Sequence, residues 1–150
     1  MLSVKPEVVS TLVDCFEYLS IELNDDEART LRSRARDMPA ELVSKGFSYV
    51  IVLTASRGDL KVVELGLTST SCQELVKSAR DRKLDKEDIG YALYGAILLL
   101  SLKKLGTISE EKFSKLVQRS LKDPILNQTA YTVMDWIKRL AEAYLERRRE

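Results

Sequence analysis

The chain has 150 residues and a mass of 17.0 kDa, with 24 Lys and Arg against 23 Asp and Glu, two cysteines and no histidine. That length suits one domain with a single core, and the missing histidine excludes Ser-His-Asp and Cys-His catalysis, His-ligated zinc and the commonest general base near neutral pH. Cys15 and Cys72 are too few for a disulfide framework or a four-thiolate metal site, and a net charge of +1 argues against a polybasic protein.

Pro6 suits a first helical position, Glu7 favours the positive end of a helix dipole, and Val9, Leu12, Val13, Phe16, Leu19 and Leu23 follow a helical period. These residues predict an amphipathic helix over 6–23, with Cys15 near its apolar face as a small buried hydrophobe. Asn24 and Glu27 form a capping box for a second helix. Its core stripe of Leu31, Ala35, Met38 and Leu42 falls within about 60° at ~100° per residue. Pro39 removes an amide donor and disfavours helix at Met38, which predicts a kink or break near Asp37.

Residues 47–56 have the β-branched density of a strand that a partner at 60–67 would complete as a hairpin. An isolated two-stranded sheet is marginal, however, and Leu42, Val43, Phe47, Val50 and Leu53 continue at helical spacing. Helix is the preferred reading. Residues 58–69 are the least regular connection. Thr70–Gln73 and Ser71–Glu74 both offer capping boxes for a helix through about Arg82, and Asp85 or its neighbours start a long apolar helix to Leu105 that Gly106 ends. Ser109 is expected to cap a short helix to Lys122, and Asp123-Pro124 to open the last helix, whose apolar face runs from Leu126 to Tyr144. The expectation is all-α: residues 1–150 as a single compact bundle of about six helices around the central apolar one.

The uncharged run Ile89–Leu102 has 14 residues, short of the ~18 or more that span a bilayer. The opening MLSVKPEVVS is too polar for a secretory leader. The chain is therefore read as cytoplasmic, away from membranes, with reduced thiols.

Asp25-Asp26-Glu27 and Glu110-Glu111 sit in first helical turns, where the dipole alone accounts for them, so neither marks a metal site. No catalytic group, cofactor or phosphate-cradling glycine loop is found. Charge is segregated: residues 1–75 carry 8 basic and 12 acidic side chains, a net −4, and residues 76–150 carry 16 and 11, a net +5. Arg29, Arg32 and Arg36 form one helical ridge suited to successive phosphates, with Arg34 on its flank. The bland alternative is a solvated face pairing locally with Asp25, Asp37 or Glu41. Lys77, Arg80, Arg82, Lys83 and Lys86 form a second cluster diluted by Asp81 and Asp85, and Arg147–Arg149 are a solvated tail. Tyr91, Tyr94, Tyr131, Tyr144 and Trp136 read as core or helix contacts before they read as base-stacking platforms.

Two segments carry a family resemblance. Arg36-Asp-Met-Pro-Ala-Glu-Leu-Val-Ser-Lys-Gly-Phe, followed by Val50-Ile-Val-Leu and Ser56-Arg57, is similar to a leucine-proline, asparagine-glycine-leucine pattern followed by an apolar helix and a basic residue. Tyr131 with Asp135-Trp-Ile-Lys-Arg-Leu-Ala-Glu-Ala resembles a tryptophan-leucine-lysine-arginine signature. Together they cover about a third of the chain and resemble the small helical subunit of the type III-B CRISPR effector, the fifth protein of the Cmr module. Lys45 stands where that pattern has asparagine, and Met38 and Phe47 replace leucines. The resemblance implies an all-helical, non-catalytic subunit in antiviral defence whose several copies stack beside the complex's backbone. Its partners would be the other Cmr-type subunits, the guide crRNA and the target RNA. Lys45, Arg57, Lys138 and Arg139 are the basic residues it carries over for RNA binding, and Arg29, Arg32 and Arg36 join them from helical geometry. A different class competes: a helical protein–protein adaptor that docks through its apolar helix and tyrosines without touching nucleic acid.

Overall fold

The computed structural model describes residues 3–145, which fold entirely into helices and connections. In chain order these are α1 (Pro6–Glu22), α2 (Asp25–Lys45), α3 (Phe47–Arg57), α4 (Leu60–Leu65), α5 (Cys72–Asp81), α6 (Lys86–Leu105), α7 (Phe113–Ser120) and α8 (Pro124–Leu145). The helical reading of 47–56 holds. The tail arginines Arg147–Arg149 lie outside the described residues.

α6 is the axis of the domain. Every residue from Ile89 to Leu102 is buried except Tyr91, because α1, α2, α3, α4, α5 and α8 all pack on it. A helix with no polar face is stable only where its neighbours enclose it. Its few buried polar groups are met locally: the Ser101 hydroxyl donates to the Ile97 carbonyl at 2.8 Å. Tyr94 is the exception, fully buried with its hydroxyl unpartnered among the described residues. Backbone approaches α6 closely where side chains are missing. A Cβ at Gly58 would strike the Ala92 backbone, and one at Gly66 would strike the Ala96 carbonyl oxygen.

The capping signals largely form. Asn24 and Glu27 make the reciprocal box at 2.8 and 3.1 Å, and Asp85 caps α6 by accepting from the Asp88 amide at 2.8 Å. Ser71 caps α5, but Glu74 reaches back to the Thr70 amide rather than to that of Ser71. Gly106 ends α6 in the left-handed region. The glycine between α2 and α3 is a sharper device. Gly46 has φ +90° and ψ 167°, a conformation reserved for glycine, and it folds α3 back against α2. The Asn127 side chain of α8 then accepts the first amide of α3, from Phe47, at 2.8 Å.

Four expectations need correction. Pro39 does not break α2, which runs unbroken to Lys45. Ala35, Met38 and Leu42 are buried on either side of Pro39 while α6 and α8 both pack along α2, so tertiary burial outweighs the missing amide bond. Ser109 does not start α7. Its neighbour Glu110 is drawn to Arg119 at 2.7 Å, and Glu64 of α4 accepts the Phe113 amide at 2.8 Å, so the cap falls at Lys112 and the helix begins at Phe113. The face of α1 is turned slightly, burying Val8 along with the expected Cys15 and leaving Val9 and Val13 half-buried. Most consequentially, the thiols are not free: Cys15 and Cys72 form a disulfide between α1 and α5, with Cα atoms 5.4 Å apart. Neither periodicity nor composition indicates that residues 57 positions apart meet.

α5 is held at its other end by Arg80, whose guanidinium grips the Glu27 carboxylate with both terminal nitrogens, one of them at 3.0 Å, and donates to the Glu22 carbonyl at 3.3 Å. Burial pushes the Glu27 carboxyl up, but the Arg80 bonds and charge and the Asn24 amide together outweigh it and hold the group below its ordinary value of 4.5.

Three outcomes test this framework. Gly46→Ala should cost about 1–3 kcal/mol through strain at the α2–α3 turn, read as a lower urea midpoint, and an unchanged midpoint would contradict that role. The 57-residue loop closed by the disulfide is worth about 4 kcal/mol by chain entropy. The Cys15→Ser, Cys72→Ser double variant should therefore melt on the order of 10 °C lower, as should the native chain under a strong reductant, by calorimetry. A carboxylate whose pKa is depressed by folding stabilises above its ordinary value and loses that contribution as pH falls through the folded one. Glu27→Gln should thus lower stability at pH 7 by about 1–3 kcal/mol and flatten the acid limb below about pH 4.5. Urea midpoints between pH 7 and 3 decide it, and a limb as steep as the native one would count against the pair.

Candidate nucleic-acid interface

The basic residues singled out by sequence are held by α2, α3 and α8. α2 and α8 run antiparallel, since Arg32 near the start of α2 reaches the last residue of α8 while Asn127 at the start of α8 meets the α2–α3 turn. The two segments that carry the family resemblance therefore lie side by side, with Arg36 and Lys45 on one helix and Lys138 and Arg139 on the next.

The four arginines of α2 divide into two groups. Arg29, Arg32 and Arg36 share a ridge, and Arg34 lies about 140° from Arg29 around the helix axis. Arg29 is exposed and donates to Asp26 at 2.8 Å, which, with Lys86 nearby, holds the Asp26 carboxyl below its usual range. Arg32 is half-buried and donates at 3.2 Å to the Leu145 carbonyl, a cationic cap on the C-terminal end of α8. Arg36 is exposed, its Nε 3.8 Å from Asp37. Of the other candidates, Lys45 lies 3.7 Å from Glu41 and over the Tyr49 ring, Arg139 donates to Glu142 at 3.2 Å, and Lys138 is half-buried. The ridge is thus partly a set of local pairs: Arg36 and Asp37 are paired as the bland alternative expected, whereas Arg29 takes Asp26 rather than Asp25. Exposed pairs of this kind are worth little.

Arg57 lies apart from the ridge. It sits over the ring of Tyr91 on α6, its guanidinium carbon 5.5 Å from the ring centroid, and the guanidinium of Arg34 lies over the same ring at 4.6 Å. Arg34 also donates to the Tyr91 hydroxyl and, at 3.3 Å, to Asp37. The arrangement follows from close backbone packing. Gly58, next to Arg57, seats against Ala92, next to Tyr91. Thr30, one turn before Arg34, packs against Gly90 and donates to the Lys86 carbonyl at 2.7 Å. Sequence reasoning placed Arg34 on a flank and read Tyr91 as a helix contact. The available signal was the pair of steps Arg57-Gly58 and Gly90-Tyr91, where a polar side chain adjoins a glycine in a helical chain.

Within the second basic cluster, Arg80 and Arg82 tie elements of the fold together, whereas Lys77 and Lys86 make exposed pairs. Arg80 grips Glu27, Arg82 donates to Asp59 at 2.6 Å, Lys77 pairs with Asp81 at 3.1 Å and Lys86 approaches Asp26 at 4.0 Å. The acidic run 25–27 is divided likewise, Asp26 to Arg29 and Glu27 to Arg80. Among the described residues no group of three or more His, Cys, Asp or Glu is placed to hold a metal ion, and no helix is long and apolar enough to cross a membrane. Compared with known proteins, the chain matches no family model, no curated protein and no solved structure.

Proposed function

We propose that this chain is a non-catalytic small subunit of an RNA-guided effector of the type III-B CRISPR kind, binding the backbone of guide or target RNA. The observation that carries the reading is the adjacency of the two motif-bearing segments. Residues 36–57 supply α3 and the second half of α2, and residues 131–143 lie on α8, which packs along α2 and touches α3. A resemblance scattered over the surface would carry no argument, whereas one confined to two touching elements describes a contiguous unit. The exposed cations of that unit, Arg36, Lys45, Arg57 and Arg139, have the donor geometry for phosphates and lack any arrangement for reading base edges. That division suits an assembly in which guide pairing supplies sequence specificity and protein supplies backbone contacts. Other effector subunits and further copies of the chain are the partners this reading implies.

The adaptor reading loses its docking element, because α6 is buried, and would have to use exposed apolar side chains such as Ile21, 81% exposed, Val43, 76%, and Ile125, 67%.

The two readings part in a salt titration. With about four phosphates neutralised per copy, the logarithm of affinity for single-stranded RNA should fall with log salt at a slope near −3. The Arg36→Glu, Arg139→Glu variant should bind at least tenfold more weakly, with unchanged circular dichroism and a slope shallower by roughly 1.4. Binding without a salt slope, or a variant that binds as well as the native chain, would favour the adaptor.

A further inference from the structure

We propose that Arg34, Arg57 and Tyr91 form a phosphate-binding site at the meeting of α2, α3 and α6. Three observations converge on it. Two guanidiniums lie over one ring, so their central carbons are no more than about 10 Å apart, within roughly a Debye length, where repulsion between like charges is only partly screened. Their compensation is incomplete. Arg34 has the half-exposed Asp37, which Arg36 also approaches, and the exposed Arg57 guanidinium has no hydrogen bond or ion pair among the described residues. Asp88, one turn before Tyr91, pairs with neither arginine. The donors are also held in place: the Tyr91 ring orients both guanidiniums, and the glycine contacts at Gly58 and Gly90 fix the three helices relative to one another.

The ligand chemistry follows from the donor set. Two planar guanidinium forks and a phenol hydroxyl at one ring supply donors alone, the pattern that phosphate oxygens accept. The Tyr91 hydroxyl already accepts from Arg34, so its proton is free to donate to an incoming oxygen. Asp37 is a competitor that a phosphate displaces from Arg34 across a solvent-exposed pair. For a free phosphate group the site stands by itself. It rests on the RNA reading above only where the phosphate is a link in an RNA backbone.

The experiment is a nuclear magnetic resonance titration of the full chain, following arginine Nε–H and amide signals. The probes are inorganic phosphate at constant ionic strength and a twelve-residue oligouridine. Both should shift Arg57, Arg34 and the amides around Tyr91 saturably. Arg57→Gln, at an exposed position without a hydrogen bond or ion pair among the described residues, should weaken binding by about tenfold or more, and Tyr91→Phe, which keeps the ring and removes the hydroxyl, by a few-fold. Shifts with phosphate but not oligouridine support the site and count against the RNA reading. Oligouridine binding that leaves these signals still and is indifferent to Arg57→Gln overturns the site while the RNA reading stands. Sodium chloride shifts equal to those from phosphate also overturn it, reducing the cluster to general anion screening.

Discussion

The structure depends on one requirement, that α6 be enclosed on every side. A run of apolar residues with no polar stripe cannot lie at a surface, so six other helices are arranged by what they contribute to its cover. Side chains do part of this. Backbone does the rest at Gly58 and Gly66, where the enclosing chain comes close enough that a methyl group would not fit. Close approach of this kind fixes helix positions more tightly than interdigitated leucines do, because backbone does not change rotamer. The geometry at Tyr91 inherits that precision, since its two arginines are carried by segments anchored within a residue or one turn of such contacts.

Polar interactions play a different part. Several of the half-buried ones lie where helices end: Asn127 on the first amide of α3, Glu64 on that of α7, Arg32 on the last carbonyl of α8, and Arg80 across the α1–α2 junction. Each satisfies a terminal group that would otherwise be stranded. The exposed pairs along α2 and α8 stabilise little and leave their cations available. Arg80 and Arg29 have the same charge and very different significance, because one partner is buried and the other is not.

Much of this was legible in sequence. The periods of 6–23, 31–42 and 126–144 gave helices and their buried faces, and Asn24, Asp85, Gly106 and Asp123-Pro124 marked boundaries that the fold keeps, because caps are local chemistry. What escaped was non-local. Pro39 has a clear local cost and is overruled by packing on both sides of α2. Ser109 is a plausible cap that loses to Glu64, 45 positions earlier in sequence. The disulfide and the Arg34–Tyr91–Arg57 cluster join positions 57 residues and three helices apart, which no window of periodicity spans. Among the site residues, the spacing of Arg29, Arg32 and Arg36 identified a real ridge but could not reveal that Arg32 caps a distant helix.

The position of α8 bears on how the chain reaches its fold. The last helix packs along α2 and also against α1, so it joins the beginning of the chain to its end and completes a core that earlier helices leave open. During synthesis α1 to α6 emerge with the apolar seam of α2 still uncovered, and cooperative closure waits for residues 124–145. Closure of the core therefore depends on the last helix. Contacts of such long sequence separation slow it relative to a bundle of neighbouring hairpins, and the unfinished chain presents its apolar seam to whatever binds nascent polypeptides.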